Sequence, residues 1–448
     1  MTRVRLLVFA AVAAGGAYFH GDLTANPASR YVQTVAVVAR GDLHIDRFVH
    51  LTPDWSFYGG HYYPNKPPGM ALLGVPAYFL LYHLERLCGA DPVDPASRAW
   101  RVNHRLLSLV LNGLLVALAA AFLVATLARL GASPAASAAG ALAWGAATLI
   151  LPYTAALWPH PHVAALLMLA LHHLVMHEDR ADPRRLAAAG ALAGLAVMSE
   201  YLAAVAVVGL AAVVARRGWR GLATFCAGGA PFLVILLIYQ AACFGSPWST
   251  AQTYLNPAFA VPGVHVEAPF ARRLFDLSIG PYRGLFFHTP LLLLAVPGIA
   301  RLWGDGRRAL ALATAIVPAA SLVALASLVV WYGGASVGPR YLIPMVSFLI
   351  LPAALTFDRW PRAAVLLGAV SLAHAAATAA VDALAPQADP CALLHWVYPR
   401  FLRGEHVHDN LGRMIGLPGA LSLAPLAVAW TLVALAIRRR TAAAPPAL

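Results

Sequence analysis

Lysine is nearly missing from this chain: among 32 Lys+Arg residues, only Lys66 is a lysine. Charge of either sign is scarce. Asp, Glu, Lys and Arg make up 11% of the residues, against about 25% in a soluble domain. That excludes an ordinary soluble globular protein. Cysteine is also rare, with four at 88, 226, 243 and 391, and their spacing matches no metal or redox motif. Cys88 and Cys391 can pair only if their two loops meet on an oxidising face. Ten-residue stretches of alternating polarity are absent, which excludes a transmembrane β-barrel. No internal repeat and no Gly/Ser or charged linker divides the chain. The net charge of +13 invites a nucleic-acid reading. The arginines, however, sit in small groups between apolar runs and form no basic face, so nucleic acid is not expected as a partner.

What the chain has in quantity is apolar sequence: 60% hydrophobic residues and a mean hydropathy of +0.69. The class this predicts is an all-α polytopic membrane protein. Apolar runs fall at about 4–20, 106–128, 135–157, 163–177, 185–199, 200–215, 221–242, 285–302, 309–331, 341–357, 363–381 and 417–437, which predicts about 12 transmembrane helices. A signal peptide at the N-terminus is the alternative to a retained first span. A further run, 68–88, decides the topology. If it lies on the surface as an interfacial helix, the short arginine-bearing connections all fall on one side. Its Pro76 and polar end at Tyr82, His83, Glu85 and Arg86 suit that position. Both termini are then cytoplasmic. A single domain of 1–440 carries outer loops at 20–105, 243–284 and 383–416, a short polar outer patch at 332–340, and a tail at 441–448. Fifteen cations are left outside, against seventeen inside. The orientation bias does not require those fifteen; an anionic substrate would, and so would anionic lipid headgroups.

The polar chemistry concentrates in those outer loops. Asp22, Asp46 and Asp54 are candidate general bases, while Asp42 after Gly41 reads as a cap. Lys66 lies in Gly59-Gly60-His61-Tyr62-Tyr63-Pro64-Asn65-Lys66-Pro67-Pro68-Gly69. Its prolines fix φ, Gly69 permits close backbone approach, and an ammonium held there suits a phosphate. Lipid anchoring is the plainer reading of the same residues. Arg283 beside Gly284 and Arg340 after Pro339 repeat the pattern in two later loops. The Trp158-Pro159-His160-Pro161-His162 turn has too few ligands for a metal and reads as a structural turn or a substrate contact. Glu200, at the junction of two runs, is costly in an apolar setting unless paired or hydrated and stands as a further candidate.

Several of these stretches resemble the C-type-fold membrane glycosyltransferases that use polyprenyl-phosphate sugars, the superfamily of protein O-mannosyltransferases and the lipid A aminoarabinose transferase. The resemblance rests on Ser29-Arg30-Tyr31, Gly41-Asp42-Leu43, Gly60-His61-Tyr62-Tyr63 leading to Asn65-Lys66-Pro67-Pro68-Gly69, Phe244-Gly245-Ser246-Pro247, Arg283-Gly284-Leu285-Phe286 and Gly338-Pro339-Arg340-Tyr341. It implies sugar transfer, with inversion, to a lipid, glycan or protein acceptor at the outer face of a bacterial inner membrane. Lys66, with Arg283, Arg340 and Arg30, would bind the donor phosphate. His61, Tyr62, Tyr63, His162 and Tyr341 would touch substrate. A divalent cation bridging an aspartate and the phosphate is compatible with the resemblance, but no metal motif is visible. Where relatives carry an acidic pair before Arg-Tyr, this chain has Pro27 and Ala28, so the base stays open among Asp22, Asp46 and Asp54. The rival classes are a transporter or lipid flippase and an inactive membrane scaffold.

Overall fold

The computed structural model describes residues 1–442 apart from 180–181, 217, 261–265 and 406–408. Arg180, Arg217 and all but the first two residues of the expected tail therefore lie outside the described residues. Helix occupies every one of the twelve apolar runs. Among the described residues, five helices are long and apolar enough to cross a membrane: Arg98–Arg129, Trp219–Phe244, Arg308–Ala326, Pro361–Val381 and Gly419–Thr441. Three shorter apolar helices, Ala203–Ala215, Pro290–Gly304 and Arg340–Leu355, accompany them. All four cysteines are free.

Small residues set how closely these helices pack. Apolar surface offers no hydrophobic drive for helix pairing in lipid, so association depends on close backbone contact. The helix Pro183–Ser199 meets Trp219–Phe244 in this way. A Cβ on Gly190 would stand 1.8 Å from the Phe225 carbonyl oxygen, and one on Gly228 would stand 2.0 Å from that of Ala187. The first helix, α1 (Thr2–Tyr18), crosses a π-helical stretch, Leu109–Leu114, where Gly16 and Gly113 touch backbone to backbone.

The long first loop folds into two helices and a hairpin. The first of these, helix α2, spans Ala25–Arg40. Pro27 does not block it, because a first-turn N–H has no intrahelical partner to lose. The helix stops on Gly41 at φ +75°, whose N–H caps the carbonyls of Ala36 and Val37. Residues 26–36 are buried without a break, so this polar helix is sunk among its neighbours. Helix α3 (Gly69–Leu87) packs on α2, with Thr34 Oγ1 donating to the Ala71 carbonyl at 2.9 Å. Its far half leaves Phe79, Leu80, Leu84 and Leu87 exposed, as an interfacial helix would.

Between α2 and α3, strands β1 (Trp55–Tyr58) and β2 (His61–Pro64) pair antiparallel, Trp55 with Pro64 and Tyr58 with His61. The two-residue turn uses Gly59 and Gly60 at φ +59° and +88°, the conformation that matches strand twist in tight hairpins. A Gly-Gly step between aromatic runs is the sequence sign of this hairpin, and reading the segment only as a rigid loop misses it. At the base of α3, a Cβ on Gly69 would lie 2.6 Å from the Met198 carbonyl carbon and 2.7 Å from the Ser199 nitrogen. The Lys66 loop is thereby pressed against the turn that carries Glu200.

Gly190→Ala and Gly69→Ala should each destabilise the protein by about 1–3 kcal/mol, because backbone atoms must move apart. Gly304→Ala, with nothing within 4 Å, should not. Thermal unfolding of the three variants in detergent checks this.

Candidate functional site

The hairpin register brings residues twelve apart in sequence into contact. Asp54 precedes β1 and Lys66 follows β2, and the Asn65 N–H donates to the Asp54 carbonyl at 3.2 Å. Lys66 Nζ then sits 3.1 Å from Asp54 Oδ2, with both side chains largely buried. The backbone around Asp54 is held from three sides. Ser29 Oγ donates to its carbonyl at 2.8 Å, the Thr52 hydroxyl accepts from its N–H at 3.1 Å, and Asn256 Nδ2 donates to the Pro53 carbonyl at 3.0 Å. On the other strand, Gln252 Nε2 donates to the Asn65 carbonyl at 2.7 Å. The 243–284 loop thus clamps the hairpin base.

Arg30 lies on the buried face of α2 and is 1% exposed. Its Nη1 donates to Asn26 Oδ1 one turn earlier, and its Nη2 stands 3.9 Å from Glu200 Oε2. Nε and Nη2 have no hydrogen-bond acceptor. Burial pulls the Arg30 guanidinium down to about 10, and the charges of Glu200 and Asp54 oppose that fall. Burial pushes the Glu200 carboxyl up, with Arg30, Lys66 and Arg340 pulling the other way. Glu200 gains its place because it interrupts helix between Ser199 and Ala203.

Arg340 completes the cluster. Its guanidinium rests 4.9 Å above the Trp158 ring and 5.4 Å from that of Tyr341, and its Nε has no acceptor. Trp158 is fixed in turn by Asn112, whose Nδ2 donates to the Ala156 and Trp158 carbonyls at 2.7 and 3.1 Å. His160 is fully buried beside Tyr341, ring centroids 5.3 Å apart, and neither ring nitrogen has a partner. Lys66, Arg30, Arg340 and His160 are close enough to interact electrostatically. Three cations and a histidine therefore face two carboxylates, Asp54 and Glu200, and several buried nitrogens meet no acceptor among the described residues. A buried donor without an acceptor is costly, and an anionic ligand would supply the missing oxygens. Two cavities of about 560 and 290 Å³ lie elsewhere, one lined by Ala135, Leu291 and Trp430 and the other by Leu174, Glu178 and Arg220.

The other sequence candidates are placed differently. Arg283 is buried, and its three guanidinium nitrogens donate to the carbonyls of Tyr332, Tyr282 and Gly334 at 3.0–3.2 Å. It binds the loop that leads to Arg340. His162 Nδ1 donates to the Leu111 carbonyl at 2.8 Å, within the π-helical stretch, and its Nε2 is unpartnered. Tyr63 packs against Phe244 at 5.2 Å, and Tyr62 sits between Trp55 and Phe57. Asp22 is exposed in the link from α1 to α2, and its carboxylate makes no ion pair or hydrogen bond among the described residues. Asp46 and His61 meet each other at 2.7 Å, near the hairpin tip and on the order of 15 Å along the strand from Lys66, at about 3.3 Å per residue. Burial pushes the Asp46 carboxyl up, but hydrogen bonds from His61 and the Tyr62 N–H outweigh it and hold the group below its ordinary value. Sequence patterning gives His160 and Glu200 little prominence. Their one visible signal is a polar group between two apolar runs.

No protein-family model matches the sequence, and no curated protein matches it. Among solved structures, the chain is similar to ArnT from Cupriavidus metallidurans in the apo state, with a TM-score of 0.52 and 16% identity over 98% of this chain and 76% of that one. The same protein bound to undecaprenyl phosphate aligns with a TM-score of 0.45 and 17% identity, covering 98% of this chain and 75% of that one. At this identity the likeness is one of fold: the chain has the C-type membrane-glycosyltransferase architecture of ArnT.

Proposed function

We propose that this protein is an integral membrane glycosyltransferase that moves a sugar from a polyprenyl-phosphate donor to a lipid, glycan or protein acceptor. The observation that carries the reading is the convergence of Lys66, Arg30 and Arg340, with unpaired guanidinium N–H groups, on one site beside Asp54 and Glu200. ArnT, whose fold the chain shares, has been captured with undecaprenyl phosphate bound, and a lipid phosphate of that kind is the leaving group this reading requires. In this reading the twelve apolar runs cross a bacterial inner membrane, both termini are cytoplasmic, and the site faces outward. The arginines between runs support that orientation.

The ion pair suggests the mechanism. A phosphate entering the cluster draws Lys66 away from Asp54, since two anions compete for one ammonium. The released Asp54 carboxylate then takes the acceptor hydroxyl proton as that oxygen attacks the anomeric carbon. The glycosidic C–O bond to phosphate breaks on the opposite face, which inverts the centre. Lys66, Arg30 and Arg340 stabilise the charge left on the departing lipid phosphate. Arg283 positions the Arg340 loop from behind. Asp54 is preferred over Asp22 and Asp46 as the base because it alone of the three touches Lys66. Tyr341 and His160 form the polar wall beside the phosphate, with His162 two residues further along the same helix.

Lys66→Ala should lower transfer from polyprenyl-phosphate sugar by about 10²–10³-fold, and Asp54→Asn by about 10²–10⁴-fold. Unchanged transfer in the lysine variant would defeat the reading. Comparing the glycolipids and glycans of a deletion strain by mass spectrometry should reveal an accumulated acceptor and a missing sugar mass.

Glu200 gives a separate test through pH. Its raised carboxyl becomes neutral as pH falls, which removes one competitor for the cations, so affinity for a short-chain polyprenyl phosphate should rise. Glu200→Gln mimics the neutral form. It should bind more tightly than the parent at pH 8 and converge with it at low pH. The difference between the two proteins cancels the phosphate's own titration. Parallel pH curves would remove Glu200 from the site.

A further inference from the structure

His44, Asp46 and His61 bring their ligating atoms within 4.8 Å of one another at the outer end of the hairpin. Asp46 Oδ2 is the hub, 2.7 Å from His61 Nδ1 and 3.2 Å from His44 Nδ1. The rings of His44 and His61 stack at 4.4 Å, 22° from parallel, so both present Nδ1 on the same side. Three features set this group apart from a chance surface cluster. The second oxygen of Asp46 accepts from the Tyr62 N–H at 2.6 Å, which fixes the carboxylate. His44 Nδ1 is buried and makes no hydrogen bond despite its closeness to Asp46. Behind His44, Asp42 Oδ1 stands 3.7 Å from Nε2, and Asp42 is itself held by Arg40 at 2.8 Å. A carboxylate behind a histidine whose other nitrogen faces a shared centre is the arrangement that orients imidazole toward a metal.

We propose that His44, Asp46 and His61 form a binding site for a first-row divalent cation of the zinc class, with Asp42 orienting His44. Two imidazoles and a carboxylate suit such an ion, whereas magnesium and calcium prefer all-oxygen shells. Ligands around a tetrahedral zinc, at about 2.0–2.1 Å from it, lie on the order of 3.3 Å apart. Opening the Asp46–His61 pair by about half an ångström brings both contacts of Asp46 Oδ2 to that spacing, and all three ligating atoms lie within 4.8 Å of one another. Water would take the fourth position.

The site would act as a staple. The link that follows α2 carries His44, the short 3-10 turn Asp46–Leu51 begins with Asp46, and β2 begins with His61. In the ion's absence, the Ile45 N–H to Tyr62 carbonyl bond at 2.7 Å is the main backbone tie between these segments. A bound cation would add three bonds at the hairpin tip, away from the Asp54–Lys66 base. The proposal therefore does not depend on sugar transfer.

The test uses full-length protein in detergent, without a polyhistidine tag and stripped with a chelator. Cobalt(II) is titrated with visible d–d absorption as the readout, and zinc by calorimetry. One equivalent should bind, with absorption in the range of a four- or five-coordinate nitrogen–oxygen site. Asp46→Asn and His61→Ala should each weaken binding by at least about tenfold, and Asp42→Asn by about 10–100-fold, the cost of losing an outer-shell partner. His44→Gln keeps side-chain size, so it serves if His61→Ala fails to fold. His83→Ala, at an exposed histidine on α3, should leave binding unchanged. Absence of one-to-one uptake, or an affinity unaltered by Asp46→Asn, overturns the proposal.

Discussion

The register of one short hairpin governs the polar half of this protein. Gly59 and Gly60 allow the chain to reverse in two residues, and the four paired positions that follow fix Asp54 opposite the Asn65–Lys66 step. A slip of one residue would turn Lys66 to the other face and separate it from Asp54. The register is secured from outside by Ser56 Oγ on the Ala251 carbonyl at 2.7 Å and by the Asn256 N–H on the Trp55 carbonyl at 3.0 Å. An ion pair this deeply buried persists only with such support, because losing one partner strands the other at a cost of about 3–5 kcal/mol.

Around that pair the fold solves a solvation problem. Arg30, Glu200, Arg340 and His160 each arrive from a different helix or loop, and none could be buried alone. Arg30 is carried inward by α2, whose buried stretch includes Asn26, Ser29, Gln33 and Thr34. Gln33 Nε2 donates to the Tyr239 hydroxyl at 2.7 Å, and Thr34 donates to α3. Most polar side chains of this sunken helix are met by neighbours, whereas Arg30 keeps two nitrogens and Gln33 its Oε1 without a hydrogen-bond partner among the described residues. The unpartnered nitrogens of Arg30 lie near those of Arg340 and His160, and the proposed ligand site rests on that grouping.

The arginines illustrate how one residue type serves two ends. Arg283 and Arg340 both follow glycine- and proline-rich sequence, and both carry a guanidinium against an aromatic ring. Arg283 is consumed by three backbone carbonyls and becomes part of the scaffold. Arg340 stays half-open above Trp158 with donors to spare. Their local sequences do not separate these fates, since what differs is the number of carbonyls that distant segments bring within reach.

The amino-acid sequence alone determined the class of this protein, because hydropathy and scarce charge are properties of composition and do not depend on contacts. It also placed helix in each of the twelve apolar runs, singled out Lys66, and gathered the polar residues into a few loops, since runs of this length must bury their backbone as helix. Tertiary structure decided what composition could not: that Asp54 and not Asp22 or Asp46 contacts Lys66, that Glu200 and His160 join the cluster, and that His44, Asp46 and His61 share a centre. These are long-range pairings set by strand register and helix crossing, and the energy of a charge depends on which partner arrives at a few ångströms. Linear spacing carries no record of that arrival.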